Sequence, residues 1–166
     1  MPSFLYLPIS RGIMLEKAAM ADTRTPEQRR RIMQAVKTRD TGPELTVRRM
    51  VYRLGYRYRL NAKKLPGRPD IVLPGRRQAI FVHGCFWHGH GCSKGQAPKS
   101  RLEYWEPKLT ANRERDAAQV LALETLGWSV LIVWQCETGD PETLTAKLVR
   151  FLGGQQKSAR GASQFR

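Results

Sequence analysis

The sequence predicts a single α/β domain in which helices flank a mixed β-sheet. Predicted helices and strands alternate in the order α-α-β-β-β-α-β-α, and two short segments, residues 79–82 and 128–134, are strongly apolar, as in buried strands. The chain has 166 residues, about the length of one domain, and its 41% hydrophobic content excludes a generally disordered protein. Because no apolar run approaches the ~18 residues of a membrane span, a membrane protein is excluded as well.

Capping residues predict two helices at the start of the domain. A capping box at Thr25 predicts a helix over residues 25–36. A second capping box, formed by Thr41 and Glu44, predicts a helix that continues through Leu54.

Four strands and one tight turn are predicted. Aromatic or apolar residues alternate with arginine over residues 56–60, which is typical of a half-exposed strand. Residues 70–73 and 79–82, separated by a Pro-Gly turn, predict a hairpin. The apolar, β-branched segment 128–134 predicts a further buried strand.

The remaining segments are predicted to be one functional loop and two helices. Residues 84–106 contain Gly, His, Cys and aromatic residues without periodicity, which indicates a functional loop. A long helix is predicted over residues 107–126. Asp140 is expected to cap a final helix that ends near Leu152.

Positive charge is concentrated in the first part of the chain. The net charge is +15, of which +11 falls in residues 1–69. Such a concentration predicts a polyanionic partner, and nucleic acid is the commonest soluble one. On charge alone, a generally basic protein and a ligand of anionic membrane surfaces stay open as alternatives.

A carboxylate and a histidine are expected at the same end of the predicted hairpin. Asp70 begins one arm and His83 ends the other, so antiparallel pairing places them side by side. Such a pair can hold a divalent cation or relay protons, whereas Asp70 alone would be read as a turn residue after Pro69. His88 adds a second imidazole suited to acid–base chemistry near neutral pH.

The cysteines suggest a metal site. Cys85, His90 and Cys92 lie close together in the loop, and Cys136 follows the last strand. These four side chains make a suitable tetrahedral set for structural zinc. Because the spacing is not that of a standard zinc finger, unrelated buried thiols are the alternative.

Four aromatic residues accompany these groups: Phe86, Trp87, Tyr104 and Trp105. A single aromatic residue would be assigned to the core. As a group in a basic protein, they could stack on bases or wedge between them.

Several of these motifs together resemble one enzyme family. They are Leu65-Pro-Gly-Arg-Pro-Asp70, Phe81-Val-His-Gly-Cys-Phe-Trp-His88, Asn112-Arg-Glu-Arg-Asp116 and Leu126-Gly-Trp-Ser-Val-Leu-Ile-Val-Trp-Gln-Cys136. Over about residues 22–150 the chain resembles the very-short-patch-repair (Vsr) DNA mismatch endonucleases. The resemblance implies a restriction-endonuclease-like core and Mg²⁺-dependent nicking beside the thymine of a T·G mismatch, the product of 5-methylcytosine deamination.

The resemblance also implies roles for individual residues. Asp70 and the backbone carbonyl of Val82 would bind Mg²⁺, although Val82 stands where threonine is familiar. His88 would be the general base, and metal-bound water or the base would be oriented by His83, Asp116 and Glu44. The residues that match the zinc ligands are Cys85, His90, Cys92 and Cys136. The residues expected to contact DNA are Phe86, Trp87, Trp105 and Met33, with Arg29, Arg30 and Arg31 on the phosphates.

We expect three segments along the chain. Residues 1–20 would form a disordered extension, residues 21–152 the endonuclease domain with a DNA-binding arm at residues 21–40, and residues 153–166 a flexible tail. The expected partner is double-stranded DNA with a T·G mismatch, and mismatch-repair proteins are candidate partners of a monomeric, bacterial-type cytoplasmic enzyme. Two alternatives stay open: a non-catalytic, zinc-stabilised module for distorted DNA, and a general nuclease of the same fold.

Overall fold

The computed structural model describes residues 25–97 and 102–153, with the side chains of residues 26, 29 and 32 excepted. The extension expected at residues 1–20 and the tail expected after Gly153 lie outside the described residues. The helices are α1 (Pro26–Ala35), α2 (Gly42–Arg53), α3 (Leu102–Thr125) and α4 (Pro141–Gly153). The strands are β1 (Arg59–Leu60), β2 (Ile71–Leu73), β3 (Gln78–His83) and β4 (Ser129–Trp134). No helix in this part of the chain is long and apolar enough to cross a membrane.

The four strands form one sheet, which is mixed as the sequence predicts, and their order in it is β1-β2-β3-β4. β2 and β3 are an antiparallel hairpin with Ile71 opposite Ile80. β4 is parallel to β3, with Leu131 opposite Ile80. Parallel neighbours need a long crossover connection, and α3 provides it.

Helices cover both faces of this sheet. On one face, α4 contributes Leu144, Leu148 and Leu152, whose i, i+4 spacing places them in one row against α2 and the strands. On the other face, Leu123 of α3 packs against Ala79 and Phe81 of β3. Because neighbouring strand residues point to opposite faces, the continuously apolar β3 serves both layers.

A polar contact at the start of β3 holds the end of α4 against the sheet. The Gln78 side chain is fully buried, and its Nε2 donates to the Phe151 carbonyl at 2.7 Å. Arg76 Nη2 donates to the Leu152 carbonyl at 2.6 Å. These bonds satisfy carbonyl groups that the last turn of a helix leaves without partners.

Two predicted boundaries are wrong. The strand expected over residues 56–60 is reduced to Arg59–Leu60, which pair with β2 at the sheet edge. The long helix begins at Leu102, not Pro107, so part of the predicted functional loop is helical. Pro107 lies inside α3, in its second turn, and the helix continues through it, so this proline does not mark the boundary.

The three buried leucines of α4 should contribute strongly to the free energy of unfolding. Leu148→Ala should lower the free energy of unfolding by about 2–5 kcal/mol, because it leaves a cavity at a fully buried position. Leu121→Ala is the matched control, since Leu121 is 65% exposed and should lose less than ~1 kcal/mol. Urea unfolding followed by circular dichroism measures both; equal losses would contradict this description of the core.

Candidate active site

An open groove of about 770 Å³ lies at the carboxyl end of β3. Its lining comes from α1, α2, α3 and the loop after β3, so residues far apart in sequence meet there. The titratable residues that line it are Glu44, Asp70, His83, His88 and Asp116. These are the five residues that the sequence analysis named as catalytic, and the fold brings them into one groove.

Asp70 lies directly before β2, next to the end of β3. Its Oδ2 accepts the Val82 N–H at 2.7 Å, so hairpin pairing positions this carboxylate. Burial raises the pKa of Asp70 to about 6; the Val82 hydrogen bond opposes this shift and the nearby Glu44 charge adds to it. Asp70 Oδ1 remains the oxygen available to a cation.

His88 and Asp116 form a hydrogen-bonded pair across the groove. His88 Nδ1 lies 2.5 Å from Asp116 Oδ2, and the His88 backbone N–H donates to the Gly84 carbonyl at 3.2 Å. When the imidazole is neutral, the carboxylate holds the proton on Nδ1 and Nε2 is an acceptor. That is the orientation a general base requires.

The imidazole ring of His83 is stacked against that of His88. The two rings are stacked with centroids 3.9 Å apart and planes 9° apart. Burial, and then the neighbouring His88, lower the pKa of His83 to about 4, against the opposing effect of Asp116. His83 is therefore neutral near pH 7, and within the described residues its buried Nδ1 has no hydrogen-bond partner.

Glu44 is buried at the start of α2. The sequence predicts that its side chain closes a capping box on the Thr41 N–H, and this detail is wrong. Thr41 does accept the Glu44 N–H at 3.4 Å, but the Glu44 carboxylate instead accepts the Asp40 N–H at 3.0 Å and the Thr41 hydroxyl at 2.9 Å. A third donor, Arg48 Nη2, lies 2.8 Å from Glu44 Oε2.

The side chains of Cys85, His90, Cys92 and Cys136 converge at one point. Their sulfur and nitrogen atoms all lie within 4.8 Å of one another. Cys136 lies just beyond β4, where its N–H donates to Cys85 Sγ at 3.3 Å and its Sγ is 3.5 Å from His90 Nδ1. Three sulfurs and one nitrogen at these separations can hold a tetrahedral metal ion.

A second group with metal-binding potential is formed by His83, His88 and Asp116. Here the Asp116 oxygen and His88 Nδ1 already engage each other at 2.5 Å. We therefore interpret this group as a hydrogen-bonded acid–base set, distinct from the Cys/His cluster.

The predicted aromatic residues also meet. Phe86 contacts Trp87 edge-on at 5.0 Å between centroids and Trp105 at 5.1 Å. Trp105 lies in the first turn of α3 as described, so the early start of this helix brings it to the loop aromatics. Lys108 Nζ lies 5.7 Å from the Trp87 and Trp105 rings. The result is a half-buried aromatic cluster with a cation beside it.

The arm residues are divided between two surfaces. Met33 is 43% exposed and lines the groove. Arg30 and Arg31 are exposed on α1 and are not among the groove-lining residues. The side chain of Arg29 lies outside the described part of the chain.

Sequence reasoning missed two cations at the site. Arg48 follows Glu44 by four residues on α2, and Lys108 follows Tyr104 by four on α3. This i, i+4 spacing of partners on one helix face was the available signal.

Comparisons with known proteins agree on one family. The family model described as "DNA mismatch endonuclease Vsr" matches residues 21–94. The chain is 55% identical over 133 residues to the type II nicking enzyme V.XorIIP of Xanthomonas oryzae pv. oryzae, covering 80% of this chain and 98% of the relative. It is 40% identical over 146 residues to the DNA mismatch endonuclease Vsr of Escherichia coli, covering 85% and 94% respectively. It is also 40% identical over 133 residues to the type II nicking enzyme V.NmeAIP of Neisseria meningitidis, covering 80% and 95%.

Gly95 should be essential for the shape of the Cys/His cluster. A Cβ at Gly95 would lie 1.9 Å from the His90 carbonyl oxygen, which is backbone and cannot move aside. We expect Gly95→Ala to lower the free energy of unfolding by about 1–3 kcal/mol. Gly91→Ala is the matched control in the same loop, because its Cβ would meet nothing within 4 Å. Thermal unfolding compares them, and a Gly95→Ala protein as stable as the control would refute the packing described.

Proposed function

Since the chain belongs to the Vsr family of DNA mismatch endonucleases, we propose that it nicks double-stranded DNA beside the thymine of T·G mismatches. The reaction is Mg²⁺-dependent phosphodiester hydrolysis, and it starts very short patch repair where 5-methylcytosine has deaminated. The observation that carries this proposal is the meeting of Asp70 with the His88–Asp116 pair in one groove. A module that only binds DNA does not need such a carboxylate–imidazole arrangement.

The charges around the groove suit a phosphate backbone. Lys37, Arg68 and Arg115 line the groove together with the carboxylates. The cations could bind phosphates of the backbone, and the carboxylates would hold a metal ion that stabilises the developing negative charge. Arg30 and Arg31 on α1 extend the positive surface beyond the groove.

In the proposed reaction His88 is the general base. Its Nε2 accepts a proton from the attacking water while Asp116 holds the Nδ1–H at 2.5 Å. The water oxygen bonds to phosphorus, the bond to the leaving sugar oxygen breaks, and that oxygen takes a proton from solvent. His83, neutral and stacked beneath His88, tolerates the positive charge that forms on His88.

Asp70 and the Val82 carbonyl are the proposed Mg²⁺ ligands. Since the N–H and C=O of one strand residue leave the strand on the same side, the Val82 amide contact with Asp70 supports a shared site. Because the proposed ligand is a backbone carbonyl, it is present whether the residue at this position is valine or threonine. Mg²⁺ would stabilise the charge that develops on the phosphate and leaving oxygens.

The fold leaves the proposed chemistry dependent on histidine. Other nucleases of this core use a second acidic residue and a lysine on the strand after the first carboxylate. Here that strand, β3, carries Ile80, Phe81, Val82 and His83 at the corresponding positions. Without lysine on β3, His88 is the proton acceptor we assign.

The aromatic cluster is the proposed mismatch reader. Phe86, Trp87 and Trp105 form one edge-to-face group and stay partly exposed. A T·G wobble pair stacks poorly, so inserting aromatic rings beside it costs less than at a normal step. Met33, which also lines the groove, is the proposed contact from the arm.

Zinc is the proposed occupant of the Cys/His cluster. Three thiolates and one imidazole are the ligands that structural zinc prefers. In this role the ion binds no substrate; it holds the loop that carries Trp87 and His88.

Nicking assays test the proposed function. We expect wild-type protein with Mg²⁺ to nick a T·G duplex, and to nick a matched T·A duplex far more slowly. His88→Ala should reduce nicking by about 10²- to 10⁴-fold, because it removes the general base. Asp70→Ala should reduce it by at least ~10²-fold, because it removes the metal ligand.

Glu114→Ala, an exposed carboxylate variant on α3, is the control and should nick like wild type. Equal nicking rates on T·G and T·A duplexes would contradict the proposed mismatch specificity and would indicate a general nuclease of the same fold. Mismatch binding without nicking would replace it with a binding module.

The zinc assignment has a separate test. Purified protein should contain one zinc ion per chain by elemental analysis, and Cys136→Ser should lose it to a mild chelator. The unfolding temperature of Cys136→Ser should fall by on the order of 10 °C, because metal binding contributes directly to folding. Gly139→Ala, in the same turn and with open space around its Cβ, should keep both zinc and stability. A zinc-free wild-type protein rejects the assignment.

A further inference from the structure

A buried arginine lies beside the groove. Arg48 is on α2, one turn after Glu44, and only 7% of its side chain is exposed. Its Nη2 donates to Glu44 Oε2 at 2.8 Å, and its Nη1 pairs with the carboxylate of Asp40. Because an unpaired guanidinium is costly to bury, these ion pairs stabilise Arg48 in this position, and the Glu44 pair is the buried one of the two.

Arg48 and its partners fix the orientation of Glu44. The Glu44 carboxylate accepts three hydrogen bonds, from the Asp40 N–H, the Thr41 hydroxyl and Arg48 Nη2. One face of the carboxylate is thereby tied to the linker between α1 and α2, while Glu44 still lines the groove. A carboxylate held in this way cannot swing away when DNA or a cation enters.

The same ion pairs anchor the linker that carries α1. Asp40 has a φ of 52°, a left-handed conformation that turns the chain so that both its N–H and its carboxylate reach the Glu44–Arg48 pair. Among the described residues, α1 contributes none to either core cluster. The contacts of Asp40 with Glu44 and Arg48 therefore position Met33 and Val36, which line the groove.

We propose that Arg48 is a positioning residue for the nicking reaction. By pairing with Glu44 and Asp40 at once, it holds the Glu44 carboxylate, which is expected to orient metal-bound water or the base, and it positions α1 beside the groove. This inference rests on the proposed function, since it gives Arg48 a role in that reaction.

The test compares neighbouring arginines on α2. Arg48→Met keeps an aliphatic side chain but removes the guanidinium that bridges the two carboxylates. Arg49→Met is the control, because Arg49 is exposed and its Nε donates only to the Leu45 carbonyl of its own helix. Two quantities are measured: the single-turnover nicking rate at saturating T·G duplex with Mg²⁺, and the Kd for the same duplex without Mg²⁺.

We expect Arg48→Met to slow single-turnover nicking on the order of tenfold or more and to weaken binding of the duplex. Asp40→Ala should weaken binding of the duplex more than it slows nicking. It removes the ion pair that anchors the arm, whereas the ion pair between Arg48 and Glu44 remains. Arg49→Met should nick at the wild-type rate once DNA is saturating. Equal rates and affinities for Arg48→Met and Arg49→Met would overturn the inference.

A double-mutant cycle separates positioning from general destabilisation. If Arg48 acts through Glu44, Arg48→Met should slow nicking much less in a Glu44→Gln background than in wild type. Additive losses in log rate, with all four proteins folded by circular dichroism, would overturn the inference. If wild type does not nick T·G DNA, the proposed function fails, and the Kd comparison of Arg48→Met with Arg49→Met decides the arm-positioning role by itself.

Discussion

Closure of the β3–α3 loop onto the end of β4 is the contact on which the rest of the site depends. Residues 84–92 contain no helix or strand, and a surface loop without anchors would be mobile. Cys85, His90 and Cys92 gather this loop around Cys136. His88 lies between Cys85 and His90 in sequence, so the convergence of the cluster holds its loop where His88 meets Asp116.

The second constraint is the register of β3. Its antiparallel pairing with β2 puts the Val82 amide on Asp70, and its parallel pairing with β4 puts His83 opposite Trp134. A shift of one residue would turn every side chain of β3 to the other face and separate these groups. The apolar residues of β3, buried on both faces, therefore secure the site as well as the core.

Desolvation shapes the chemistry of the groove. It raises the pKa of Asp70 to about 6 and lowers that of His83 to about 4, so both groups are shifted towards their neutral forms. The proposed cation would reverse this shift for Asp70, because it favours the carboxylate. The cations proposed to hold DNA include Lys37, Arg68 and Arg115 in the groove itself, beside the carboxylates and histidines of the proposed chemistry.

The sequence by itself determined the order of elements, both helix caps, the hairpin and the four members of the Cys/His cluster. Each of these depends on local signals: capping residues, apolar runs, turn dipeptides and the restricted set of metal-binding side chains. The family resemblance supplied the proposed roles of Glu44 and Asp116, which residue chemistry left undecided. Sequence reasoning could not supply the early start of α3, which continues through Pro107, or the two-residue length of β1.

Only the tertiary structure decided how the site residues contact one another. The stacking of His83 on His88, the meeting of Trp105 with Phe86, and the ion pair of Arg48 with Asp40 join segments through packing and not through spacing along the chain. Such contacts depend on how whole helices lie against the sheet, and the summed burial of Leu, Ile and Val sets that placement. The chemistry of the side chains was readable in the sequence, but their distances required the fold.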